Sequence, residues 1–389
     1  MSNLIIKNAH IIDAKQDIYS DILIEDGIIT KIGKNINADD YNVIRETSYI
    51  VMPSFIDMHT HLRDPGYTYK EDLESGQRAA LKGGYTTLCS MANTKPVCDN
   101  TKIIEYIINK SKKLNICNIK QVSSITKNLD GKEIVDVASM RKYTELFSDD
   151  GNTILSEEVI KEALDLSSKY NFKLLTHCQP EYEIVSRDLK LLKSIGGNLH
   201  ICHISLENTL EEIKRYKDEG IKFTCEVSPH HIFSDELDYK VNPSFAKQSD
   251  INSLIKGIKD GYIDVIGTDH APHSKEDKIN GAPGISNMEV AFSMVYKVFS
   301  ENNISINKLS AMMSYNPANI LDMNCGLIKE GYRADLVFID INKEYKMNTD
   351  EFISKGKNNP FNNYKVKGKV VTTIKDGNIV YDVRGTENV

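Results

Sequence analysis

The chain lacks a C-x-x-C pair, a basic excess and any long apolar run, and each absence removes a class of function. Its seven cysteines (89, 98, 117, 178, 202, 225 and 325) are odd in number and never closely paired. That argues against a disulfide framework and a cysteine-type structural zinc site, and for a reducing compartment, taken here as the cytoplasm. No apolar stretch approaches the roughly 18 residues of a membrane span. The opening M-S-N-L-I-I-K-N-A-H has no signal-peptide core. A net charge of −7, with the basic residues scattered, leaves no electrostatic footprint for nucleic acid or an anionic membrane. Low-complexity segments and short-period repeats are also missing. What is present is 389 residues of ordinary globular composition, enough for one large α/β barrel and a smaller accessory domain.

Three zones follow one another along the chain. Residues 1 to about 50 carry short β-branched segments (L-I-I-K, D-I-L-I-E-D-G, I-I-T-K-I-G) with a D-G turn signal, and predict hairpins. The same texture returns from about 330, in A-D-L-V-F-I-D and K-V-V-T-T-I-K-D-G-N-I-V-Y. Neither end has enough apolar alternation to close a domain alone. The economical expectation is one small β-sandwich built from 1–50 and 330–389, with 51–329 inserted between them. That middle alternates apolar runs with amphipathic stretches, the pattern of a parallel sheet with crossover helices. Eight strands are predicted, around Phe55–Met58, Thr86–Met91, Ile119–Ser123, Glu145–Ser148, Lys173–Thr176, Leu199–Cys202, Lys222–Glu226 and Asp264–Thr268. The third is the weakest. Eight such units suit a (β/α)₈ barrel.

In a barrel, groups at the C-terminal ends of the strands face the active site. Those ends carry His59 and His61, Asn93, Asp150, His177, His203 and Asp269, whereas His10 and His200 lie away from them. In His59-Thr60-His61, strand alternation points both imidazoles to one side, a geometry for two ligands on one metal. An isolated H-x-H is more often surface or core than metal site; the apolar P-S-F-I-D-M run leading into this one raises its weight. His177 and His203 follow buried-strand sequence on successive units. Asp269 ends Y-I-D-V-I-G-T, where an unpaired carboxylate would be costly. Asp149-Asp150-Gly151 is ambiguous, since D-D-G is also a common turn. Together these give four imidazoles and two carboxylates, a donor set suited to Zn²⁺ with a position left for water. Six ligands suit a metal pair about 3.5–4 Å apart sharing a hydroxide.

The blocks H-T-H-L-R-D-P-G (59–66), M-A-N-T-K-P (91–96), D-D-G (149–151), H-C (177–178), C-H-I-S (202–205), C-E-V-S-P-H-H (225–231), T-D-H-A-P-H (268–273) and G-A-P-G-I-S-N-M-E (281–289) occur in family order. This set resembles the bacterial, longer-chain dihydroorotases of the amidohydrolase superfamily, over nearly the whole chain. The resemblance implies that His59, His61 and Asp269 bind one zinc, that His177 and His203 bind the other, and that Asp150 bridges them together with a hydroxide. Many relatives bridge with a carboxylated lysine; F-S-D-D-G here resembles the branch that uses aspartate. Arg63, Asn93 and His273 match positions that hold the substrate carboxylate. Asn242 and the Pro283-Gly284 backbone match those that read the ring or ureido group. The chain departs from the pattern in M-A-N-T for M-P-N-T, D-P-G for E-P-G, H-C-Q-P-E for H-C-E-D, and K-V-N-P-S-F for K-M-N-P-P-L-R. The stretch between His177 and His203 is also shorter, which puts the local loop and any oligomer contacts in question.

The implied reaction is the reversible opening of dihydroorotate to N-carbamoyl-aspartate in pyrimidine synthesis, with Asp269 as base and then acid. Its partner is thus a small molecule; a homodimer and an association with aspartate transcarbamoylase are compatible with the resemblance. Two rivals stand beside it. Hydantoinases and their kin resemble the chain in H-x-H and the final aspartate, but usually keep the lysine and lack the arginine of H-x-R-x-P-G. Non-catalytic dihydroorotase-like subunits resemble the fold but have lost metal ligands, all six of which are present here. The polar segment 273–284 is expected to form a rim over the site, mobile or simply exposed.

Overall fold

The computed structural model describes residues 3–37, 41–45, 48–235 and 237–384. The outermost parts of the two expected sandwich segments, 1–2 and 385–389, and the short stretches 38–40 and 46–47 lie outside the described residues.

All eight predicted middle strands form. Phe55–Thr60, Tyr85–Ser90 and Asn118–Gln121 make one parallel arc; Leu146–Ser148, Lys173–Thr176, Leu199–Ile201, Thr224–Val227 and Val265–Ile266 make another. Parallel bridges from Ser123 to Phe147 and from Thr60 to His270 join the arcs at both seams, so the sheet closes into a barrel. The weak third strand owes its place to these neighbours: Thr87 to Ser90 pair with Asn118 to Gln121 residue for residue. Helices of ordinary amphipathic kind cover the outside. Leu73–Gly83, for example, starts at an Asp72 capping box and ends at left-handed Gly84. Phe55, stacked on Phe292 and edge-on to Tyr85, anchors the barrel's large apolar core.

The chain ends share a single eight-stranded sheet. Across it run Asn378–Asp382, Lys365–Lys375, Leu336–Lys346, Ile50–Pro53, Leu4–Ile12, Asp17–Glu25 and Ile28–Gly33, with Asn42–Arg45 also on Leu4–Ile12. The ends meet at Ile50–Pro53, which pairs antiparallel with Leu336–Ile339 and parallel with His10–Ile11. The expected D-G turn is present, with Asp26 and Gly27 both at positive φ (51° and 78°), the backbone that hairpin twist favours. Period-two alternation then gives the sheet two different faces. Val51, Leu336 and Phe338 enter the sheet's own apolar core, while Ile50, Met52, Val337 and Ile339 pack into the barrel's.

Between Leu336–Lys346 and Lys365–Lys375 the chain leaves the sheet. It lays residues 347–361 along the C-terminal rim of the barrel, with Met347, Phe352 and Phe361 buried against Val241 and Ile285. Sequence reading assigns this stretch to the sandwich alone. The structure makes it a strap beside the barrel mouth.

Candidate active site

Every strand end expected to carry chemistry converges on one centre. Asp150 occupies its middle. Its Oδ1 is 3.2 Å from His59 Nε2, 3.3 Å from His177 Nδ1 and 3.2 Å from His203 Nε2, and its Oδ2 is 3.3 Å from His61 Nε2. Asp269 Oδ1 is 3.1 Å from His61 Nε2 and 3.7 Å from His59 Nε2. His177 Nδ1 and His203 Nε2 lie 3.1 Å apart. Two donor groups therefore exist, His59–His61–Asp150 and Asp150–His177–His203, with Asp150 common to both. The D-D-G ambiguity resolves by division of labour. Asp149 turns away to accept from the Ile125 and Thr126 amides and the Thr126 hydroxyl, while Asp150 faces the centre.

The residues fit a divalent metal. All six side chains are buried, and the ion pairs of Asp150 and Asp269 among the described residues are with histidines alone. Such buried carboxylates require compensating positive charge. His59 Nε2 makes no hydrogen bond although fully buried, as expected of a nitrogen aimed at a metal position. Its other nitrogen, Nδ1, is 2.6 Å from Glu226 Oε1, which fixes the ring and its tautomer. Burial opposes charge on Glu226, but the adjoining His59 and His200 hold its carboxyl down at about 2. Cys202 also approaches His59 and Glu226, yet burial pushes its thiol well above the usual range, so it stays protonated.

Three residues at this centre take left-handed backbone without being glycine: Arg63 (φ 60°), His203 (φ 34°) and Asp269 (φ 46°). Each such conformation costs ~1–3 kcal/mol and persists only where the surroundings impose it, commonly at functional sites. Here the barrel supplies the constraint, with His61 N donating to His270 O (2.9 Å) and His270 bridged to Thr60 and Ile285.

Above the centre lies a cavity of about 170 Å³ lined by His61, Arg63, Asn93, Asp150, His177, His203, Asn242, Asp269, His273, Pro283 and Gly284, with Gly151 and Ala271. Every residue expected to contact substrate thus lines this one cavity. Arg63 has no carboxylate ion pair among the described residues; its Nε is buried without a partner, and its NH2 lies 3.3 Å from His273 Nε2. Burial, then the charges of Arg63 and Lys70, push His273 down to about 3, so it is a neutral imidazole. Asn93 Oδ1 accepts from His61 Nδ1 at 2.9 Å, and Asn242 meets the outer nitrogen of His177 at 3.1 Å.

Sequence reasoning did not single out Glu226, Lys70 or Asn358. Glu226 had a visible signal, a carboxylate inside the apolar run F-T-C-E-V. The other two had none, because their importance lies in contacts across about two hundred and about eighty residues respectively. The expected rim, 273–284, holds a short helix, Lys275–Ile279, capped by Ser274. Lys278 Nζ ties it down by donating to the carbonyls of Lys240 (2.8 Å), Ala282 (2.8 Å) and Gly284 (3.0 Å).

A model described as "Amidohydrolase family" matches residues 50–380. Over 394 residues the chain is 45% identical to a dihydroorotase of Clostridium botulinum (strain Eklund 17B / Type B), covering 97% of this chain and 99% of that one. The chain belongs to the dihydroorotase family. A second member of this family, from Aquifex aeolicus, is 39% identical over 98% of the chain and its own full length (100%). Solved structures share the fold. An L-hydantoinase (dihydropyrimidinase) from Arthrobacter aurescens superposes with a TM-score of 0.89 at 22% identity, covering 98% of this chain and 96% of that one. A D-hydantoinase (dihydropyrimidinase) from Thermus sp. gives 0.86 at 22% identity, covering 97% and 95%. At such identity the hydantoinases speak for architecture alone. The dihydroorotase relatives, close in sequence over full length, decide the family. Among the described residues no helix is long and apolar enough to cross a membrane.

Proposed function

We propose that the protein interconverts (S)-dihydroorotate and N-carbamoyl-L-aspartate in de novo pyrimidine synthesis, using two zinc ions. The observation that carries this reading is Arg63. A half-buried guanidinium with no carboxylate ion pair among the described residues shares a small cavity with Asn93, neutral His273 and five of the six metal donors. A planar fork placed so matches a ligand carboxylate, which dihydroorotate has and the neutral cyclic amides lack.

His59, His61 and Asp269 would hold one zinc, His177 and His203 the other, and Asp150 would be shared. Bound zinc supplies Lewis acidity for the ring amide carbonyl and lowers the pKa of water to about 7. Asp269, facing the cavity, takes the proton of the attacking water as the carbonyl carbon is attacked. It then returns that proton to the ring nitrogen as the C–N bond breaks; cyclisation runs the same transfers backwards. Arg63 and His273 orient the carboxylate, and the Asn93 oxygen fixes His61, leaving its amide N–H to donate to substrate. His177 turns Nδ1 to Asp150, and Asn242 Nδ2 lies 3.1 Å from its outer Nε2, which fixes the ring from the cavity side. Pro283 and Gly284 offer backbone to the ring or ureido group. Asp150 is common to both donor groups, and among the described residues no lysine lines the cavity, which supports Asp150 in the bridging role.

In this reading 51–329 form the metal-dependent catalytic domain, and 1–50 with 330–389 form its β-sandwich companion, from which the strap 347–361 extends to the barrel mouth. The seven cysteines, all buried and unpaired, support a cytoplasmic setting. Sedimentation of the protein alone, and mixed with aspartate transcarbamoylase, tests the two expected associations. The function itself is tested by following ring opening of dihydroorotate and closure of N-carbamoyl-L-aspartate by the metal-loaded protein. Both are expected, with metal analysis giving two zincs per chain; turnover of neither substrate would refute the reading.

A further inference from the structure

The strap 347–361 runs behind the residues that line the cavity, and we propose that Asn358 on it is the positioning residue that sets the substrate-facing wall of the site. Ala271, His273 and Gly284 all belong to that wall. Asn358 Oδ1 accepts from His273 N (2.8 Å) and from Ser286 Oγ (2.8 Å). Its Nδ2 donates to Ala271 O (3.1 Å) and Gly284 O (3.0 Å), and its backbone oxygen accepts from Ser286 N (3.0 Å). The full donor and acceptor capacity of one amide is thereby spent on two separate rim segments, 271–273 and 284–286. Two buried carbonyls, an N–H and a hydroxyl can be satisfied together only by a group with two donors and an acceptor. Aspartate lacks the donors and alanine lacks everything.

The strap is moored independently of this contact. Glu289 accepts from Ile353 N (2.8 and 2.9 Å) and Ser354 N (3.0 Å), and Glu71 accepts from Ser354 Oγ and from Lys355 N (3.3 Å). Phe352 and Phe361 are buried on either side. Close approach is built in at Gly356, where a Cβ would fall 2.6 Å from Pro272 Cβ and 2.8 Å from His273 N. Asn358 thus transfers the position of a fixed segment to His273 and Gly284, while none of its hydrogen bonds reaches a metal donor. Its loss therefore acts on substrate affinity ahead of chemistry.

This inference rests on the functional reading above for the identity of the substrate, though not for the geometry of the wall. The test compares full-length, zinc-loaded wild type with Asn358→Ala and Asn358→Asp, measuring zinc content, kcat, KM for dihydroorotate and amide exchange over 271–286. The expected result is unchanged zinc, a KM raised about tenfold or more and kcat within about threefold, since small displacements of positioning groups carry effects of this size. Asn358→Asp, which keeps the acceptors but sets a carboxylate against two carbonyls, is expected to raise KM at least as far, and it serves if the alanine variant fails to fold. An unchanged KM in a folded, zinc-loaded variant overturns the proposal, as does a parallel loss of zinc and kcat. If the wild type does not turn over dihydroorotate, the functional reading fails. Exchange then decides alone: faster exchange over 271–286 supports the clamp, and unchanged exchange overturns it.

Discussion

The floor and the rim of the active site are built by different means. The floor is six side chains on or just beyond strand ends: four histidines within 3.3 Å of Asp150, Asp150 itself at the centre, and Asp269 against His61 and His59. The rim is loop backbone and loop side chains, whose positions come from elsewhere: Asn358 on the strap, Lys278 across three carbonyls, and Glu71 beneath the strap. On the proposed function, metal chemistry would rest on the barrel strands, and substrate choice on long-range hydrogen bonds that can be altered without touching a ligand. The two are expected to break separately.

Attacks on the floor have the largest expected effects. Stripping zinc with a chelator should abolish turnover of dihydroorotate, and zinc alone should restore it. A need for added bicarbonate would instead place a carboxylated lysine between the metals. Asp269→Asn should retain the fold and lower kcat by ~10²–10⁴-fold, the usual size of a lost general base, with weaker metal binding adding to it. Activity above about a tenth of wild type with metal bound would remove Asp269 from the proton path. One layer out, Glu226→Gln loosens the ring of His59; zinc affinity should fall ~10–100-fold, measured by competition with a chromogenic chelator.

This contrast also decides what could be read from the sequence. Strand periodicity is local. P-S-F-I-D-M followed by H-T-H is enough to put His59 and His61 on one side of one strand end, and K-L-L-T-H does the same for His177. The eight strands were legible for the same reason, even Asn118–Gln121, whose own signal is faint and whose place is secured by Thr87–Ser90. Glu226 was visible as a charge in an apolar run but uninterpretable without its partner, His59, 167 residues away. The strap was misplaced because F-I-S-K-G-K-N-N-P-F has neither helix nor strand periodicity, and nothing in a single sequence reveals that Asn358 faces His273. Arg63 is placed by its motif, whereas its lack of a carboxylate partner among the described residues emerges only from the folded surroundings.

Attacks on the rim should be milder and fall on KM. Burial, followed by the charge of Lys240, lowers Lys278 to about 8, so it sheds its proton as pH climbs through that value. The charge, and with it one of three donors, is then lost from the carbonyls of Lys240, Ala282 and Gly284. KM for dihydroorotate should accordingly rise a few-fold, on the order of one hydrogen bond, between pH 7 and 9 in wild type. Lys278→Met should start with the higher KM and lose the added pH dependence; identical profiles for the two proteins would exclude the tie. His273, already neutral down to about pH 3, should add no inflection of its own between pH 5 and 8.

On the proposed function the rim receives the substrate carboxylate, and specificity constants test this most directly. We expect kcat/KM for dihydroorotate to exceed that for dihydrouracil and hydantoin by ~10⁴-fold, because the neutral rings leave Arg63, Asn93 and His273 facing an unfilled polar pocket. Arg63→Met should erase most of that ratio by lowering activity on dihydroorotate, with zinc content intact. Comparable wild-type values for the charged and neutral rings would contradict the account and favour a hydantoinase.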